Sequence, residues 1–157
     1  MQAWRNPRWL STMSFARDRR LHGDVTFGWH STNVAVHVIN TVLVYGICLA
    51  KFSIVGASLG ALVFAVHPTA IGAVGFISGR AASLCGSFYF ASILAWACGA
   101  WWLAIPLILL ARKCKEEALT APLFIALAFG SWWIGIMLPL MFADMFCELK
   151  IKPKVAL

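Results

Sequence analysis

Four polar residues punctuate an otherwise apolar stretch: His30, Asn33, His37 and Asn40 follow one another at spacings of three, four and three. That spacing gathers all four on one face of a helix, where they can line a polar cavity or hydrogen-bond neighbouring helices. His67-Pro68 adds an imidazole at a point where proline removes a backbone donor and leaves carbonyls free. Arg80 stands alone between two apolar runs; it cannot be deprotonated and must reach a lipid headgroup, a phosphate or a carboxylate. Lys115-Glu116-Glu117 reads as an interfacial cluster whose acids favour the start of a helix. Asp18 and Asp24 are the acids closest in sequence to the polar helix face, and a solvated arm is the expected setting for both.

The elements that must position these groups are membrane segments. Of 157 residues, 61% are hydrophobic and 12% charged, where a soluble domain has about 45–50% and about 25%. The charges separate four uncharged runs, 25–50, 52–79, 81–111 and 118–143, each long enough to cross a bilayer, since a spanning helix needs about 20 apolar residues. The net charge of +7 lies between and outside these runs, which favours anionic lipid headgroups over nucleic acid as the partner.

The first run predicts a helix over 31–50, with Ser31 or Thr32 as N-cap. His67-Pro68 divides the second into a helix over 53–66 and a shorter segment over 69–79. The third is too long for one straight span and is expected to break at Gly99, beside Trp101-Trp102, into 82–98 and 100–111. The fourth predicts one span with a bent end. Small residues four apart, Gly56 with Gly60, Gly75 with Gly79, and Ala91, Ala95 and Gly99, permit close helix approach.

Five cysteines without a Cys-x-x-Cys pair or zinc spacing encode neither a disulfide framework nor a metal site. Four read as small apolar fillers, while Cys114 lies between Lys113 and Lys115, neighbours that can lower a thiol pKa. No phosphate-binding glycine loop, nucleophile elbow or His-Glu-x-x-His motif is present.

In order along the chain stand Arg8-Trp9-Leu10, Ser14-Phe15-Ala16, Trp29-His30-x-x-Asn33-x-x-x-His37-x-x-Asn40, His67-Pro68, Gly79-Arg80 and Lys115-Glu116-x-Ala118-x-Thr120-x-Pro122. This set resembles the membrane part of the tetratricopeptide-repeat transmembrane O-mannosyltransferases, of the glycosyltransferase-C superfamily, over about residues 5–125. The resemblance implies a polyprenyl-phosphate sugar donor and transfer to Ser or Thr hydroxyls. It would set Arg80 and Lys115 nearest the lipid phosphate, with His30, Asn33, His37, His67 and Glu116 lining the site, and it leaves Asp18 and Asp24 as weak catalytic candidates. Relative to the family the first helix, its acidic loop and the repeats are missing, and Gly72 and Ala82 stand where the family carries Glu and Asp.

The expected architecture is an all-α polytopic membrane bundle of about five segments, within a range of four to six. Residues 1–24 form a basic arm, 25–143 the bundle and 144–157 a short basic tail. The expected function is that of a truncated or degenerate glycosyltransferase-C-like protein that binds polyprenyl-phosphate sugar and assists or modulates glycan transfer, at most a glycosyltransferase and inactive alone. The alternative is a non-catalytic protein that docks into a larger membrane complex, such as a glycosylation complex. Membrane lipids are the expected partners, in the plasma membrane or the endoplasmic reticulum. The family topology places the arm outside, whereas Arg5, Arg8, Arg17, Arg19 and Arg20 favour the cytoplasm.

Overall fold

The computed structural model describes residues 8–114, which belong to one compact unit. Every regular element among them is helical. In chain order these are α1 (Trp9–His22), α2 (Thr26–Leu49), α3 (Ile54–Val66), α4 (Ala70–Gly75), a 3-10 turn (Ile77–Gly79), α5 (Arg80–Ala97) and α6 (Trp101–Cys114). The expected span over 118–143, the basic tail, Lys115 and Glu116 lie outside the described residues.

The long polar-faced helix starts five residues before the expected Ser31, at Thr26. Ser31 and Thr32 do not cap it: their hydroxyls donate back to the carbonyls of Phe27 and Gly28, which lets a helix carry small polar residues without an outside partner. At 24 residues α2 is long and apolar enough to cross a membrane, and among the described residues it alone meets both conditions.

The proline break falls as expected. Ser53 caps α3 by accepting from the Gly56 amide, and α3 stops at Val66 because His67, held in an extended conformation, precedes Pro68. The expected segment over 69–79 is a single short helix followed by the 3-10 turn. Gly99 also breaks the chain as expected: it adopts φ +78°, a left-handed conformation costly for other residues, and α6 returns along α5. This return sets Cys85, near the start of α5, against Ala111 and Cys114 at the end of α6.

Two boundaries differ from the sequence reading. The segment expected to end at 111 continues through Arg112 and Lys113, the last turn of α6, where positive charge complements the helix dipole. The basic stretch at the N-terminus contains a packed helix, α1, which lies against α2, α5 and α6. Its Ser11 and Asp18 are buried, so the solvated setting expected for Asp18 is wrong, while Asp24 is exposed in the turn between α1 and α2. A search for long apolar runs passes over α1 because its buried side is polar.

Polar and apolar residues share the interior. The largest fully buried side chains include Arg80, Asn33 and Asp18, whereas Val34, Val38, Val42, Leu59, Leu62, Val63 and Val66 are exposed. Small residues lie at the helix contacts: Ala57 and Ala61 of α3 are buried, and a Cβ added at Gly60 would press on Cys48 of α2.

Candidate functional site

Two groups of polar residues meet the polar face of α2. The first surrounds Arg80, the opening residue of α5. Gly79 places it there: a Cβ at position 79 would collide with the Gly72 carbonyl and the backbone of Ala73, so only glycine lets α5 begin this close to α4.

From that position the guanidinium, fully buried, engages partners on two other helices, α1 and α2. Nη1 lies 2.6 Å from Oδ2 of Asp18 on α1, an ion pair whose alignment is poor for a hydrogen bond. Nε donates to Oδ1 of Asn33 at 2.8 Å and Nη2 to the Trp29 carbonyl at 2.9 Å. The Phe15 and Trp29 rings lie 5.1 and 5.5 Å from the guanidinium carbon, within cation–π range. Trp29 is itself fixed by donating from Nε1 to the Gly23 carbonyl. A buried cation at a helix N-terminus opposes the helix dipole, and the Asp18 carboxylate offsets both charges locally.

The second group caps broken helices. Where α3 stops before Pro68, its last carbonyls lack helical partners, and His37 donates from Nε2 to the Ala65 carbonyl at 3.1 Å. Near the end of α4, Asn33 donates to the carbonyls of Val74 and Phe76, and His30 Nδ1 lies 3.5 Å from the Val74 carbonyl. Asn40 donates to the Ser83 carbonyl of α5 at 2.9 Å. Through His37 and Asn33 the polar face therefore supplies side-chain donors to carbonyls at the ends of α3 and α4, while Asn40 ties it to a carbonyl inside α5.

Between α2, α3, α4 and α5 lies an open groove of about 500 Å³. His37, Asn40, His67, Thr69 and Ser83 contribute its polar atoms, and Val63, Phe64 and Ala73 are among its apolar lining. The His37 ring stacks on Phe64, with centroids 5.5 Å apart. His67 is exposed; its Nδ1 accepts from the Thr69 amide and lies 2.8 Å from the Thr69 hydroxyl. No Asp, Glu, Lys or Arg is among the lining residues.

The residues expected to form one site are thus divided. Arg80, Asn33 and Asp18 meet at the buried centre, joined through Asn33 and Val74 to His30. His37 and His67 share the groove, and Asp24 belongs to neither. Of the alternatives open to Arg80, the structure selects the carboxylate. Asn40, placed on the polar face by its spacing, joins the groove, and Phe15, Trp29, Thr69 and Ser83 complete these two groups without having been singled out as site residues. For Trp29 and Asn40 the helical spacing was an available signal, but the contribution of Phe15 depends on how α1 folds back.

Cys114 is fully buried against Cys85 and Ala111, out of reach of the activation its flanking lysines suggested. No cluster of three or more His, Cys, Asp or Glu side chains able to hold a metal ion occurs among the described residues. No family model, curated protein or solved structure matches the chain.

Proposed function

We propose that the chain is a polytopic membrane bundle that works by associating with a larger membrane complex rather than by catalysis. The observation carrying this reading is the closure of Arg80 on Asp18, Asn33 and Trp29, which commits the buried cation to holding α1, α2 and α5 together. The exposed valines and leucines of α2 and α3 suit lipid or partner helices, and α2, α3, α5 and α6 with the run 118–143 make up the five proposed segments. The five arginines near the N-terminus favour α1 on the cytoplasmic side.

The test combines insertion, sidedness and partnership. The protein should resist alkaline extraction from membranes. In a variant without its own cysteines, Thr12→Cys, at an exposed position of α1, should be shielded from an impermeant maleimide until cells are opened. Affinity purification in mild detergent should bring down a defined membrane complex in fixed ratio. Extraction by alkali, or isolation as a free monomer, would refute the reading.

A second reading, in which the chain binds polyprenyl-phosphate sugar and assists glycan transfer, draws support from the placement of His37 and His67 in one groove. It requires saturable binding of that lipid by the purified protein, weakened by His67→Phe in the groove. Labelling of Thr12→Cys in intact cells would favour it, because it would place α1 outside as in the family it resembles.

A further inference from the structure

We infer that the groove between α2, α3, α4 and α5 receives the uncharged, hydroxyl-bearing head of a lipid. This rests on the membrane setting proposed above and goes beyond it by naming a ligand class. The distinguishing feature is Asn40: the residue is 4% exposed and is among those lining the groove, its Nδ2 is used on the Ser83 carbonyl, and its Oδ1 is buried without a partner. A buried acceptor left unpaired costs free energy that a hydroxyl donor would recover.

The other polar groups define the same chemistry. His37 spends its Nε2 proton on the Ala65 carbonyl, which leaves Nδ1 as an acceptor. His67 accepts from the Thr69 amide at Nδ1, which assigns its proton to Nε2 and makes that nitrogen a donor. The groove thus offers acceptors and a donor, as a hydroxyl requires, and among the described residues no carboxylate, ammonium or guanidinium lines it to neutralise a charged head. Its volume of about 500 Å³ falls within the usual range for small-ligand sites. Val63, exposed on α3 at its rim, continues into the apolar face that would carry the lipid tail.

The test uses full-length protein in nanodiscs containing a trace of diacylglycerol with a photoactivatable group beside its glycerol hydroxyl. Saturable crosslinks are expected within residues 60–73, competed by unlabelled diacylglycerol and not by an equal amount of phosphatidate. Ala82→Phe fills the groove from an exposed position on α5 and should reduce crosslinking about tenfold, the equivalent of roughly one well-formed contact. His67→Phe keeps ring shape on an exposed residue, removes the donor and should also reduce it, which keeps the test decisive if the first variant fails to fold. Crosslinks spread evenly over the exposed helix faces, or unchanged in both variants, would overturn the inference. Stronger competition by phosphatidate or a polyprenyl phosphate would replace it with a charged-lipid site. Failure of the protein to insert at all would be visible separately, as absence from floated nanodiscs.

Discussion

Asp18 of α1 and Arg80 of α5 meet at 2.6 Å with both side chains almost completely removed from solvent. This pair ties a helix with no apolar stripe to the polar face of α2 and the start of α5. Removing one member leaves the other charge buried and alone, which costs about 3–5 kcal/mol. Asp18→Ala and Arg80→Ala should therefore each lower the unfolding temperature sharply in detergent, while the double variant should be less destabilised than the two effects added. Arg80→Lys should not rescue, because an ammonium cannot reproduce the planar contacts to Asp18, Asn33 and the Trp29 carbonyl together. Full additivity in thermal unfolding of the four proteins would contradict the coupling.

Glycine at 79 and glycine at 72 make opposite predictions. A Cβ at 79 would collide with the backbone of α4, whereas one at 72 meets open space. Gly79→Ala should destabilise by about 1–3 kcal/mol, the usual range for forcing extra volume into a packed contact. Gly72→Ala should be neutral or slightly stabilising, since alanine favours helix. Protease resistance of the two variants, measured side by side, separates them.

Asn33 serves three partners at once, accepting from Arg80 and donating to the carbonyls of Val74 and Phe76. Asn33→Leu should cost about 1–3 kcal/mol for each group it leaves buried and unpaired. His37→Phe keeps the stack on Phe64 but loses the bond to the Ala65 carbonyl, so a smaller loss is expected. Hydrogen exchange should then quicken at the end of α4 in the first variant and at the end of α3 in the second.

Among the described cysteines, Cys98 is exposed in the turn after α5, while Cys85 and Cys114 are buried. With Cys147 changed to Ser, a water-soluble maleimide should modify Cys98 first in native detergent-solubilised protein. Cys85 and Cys114 should react only on denaturation, as peptide mapping of the labelled sites would show. Early modification of Cys114 would mean that α5 and α6 do not pack as described.

The sequence alone determined the helical class and several of its interruptions, because those are local effects. Pro68 cannot continue a helix, Gly99 tolerates a left-handed turn, and the three-four-three spacing from His30 to Asn40 fixes one helix face whatever surrounds it. Tertiary structure decided what that face does. His30, Asn33 and His37 serve carbonyls of segments far along the chain, and only the folding of α3 and α4 against α2 brings those carbonyls within reach. The partner of Arg80 was equally hidden: a lone arginine needs a counter-charge, but whether a phosphate or a carboxylate supplies it depends on where α1 packs. Since α1 lacks an apolar stripe, no periodicity announces that Asp18 turns inward, and the ion pair itself provides the physical reason that it does.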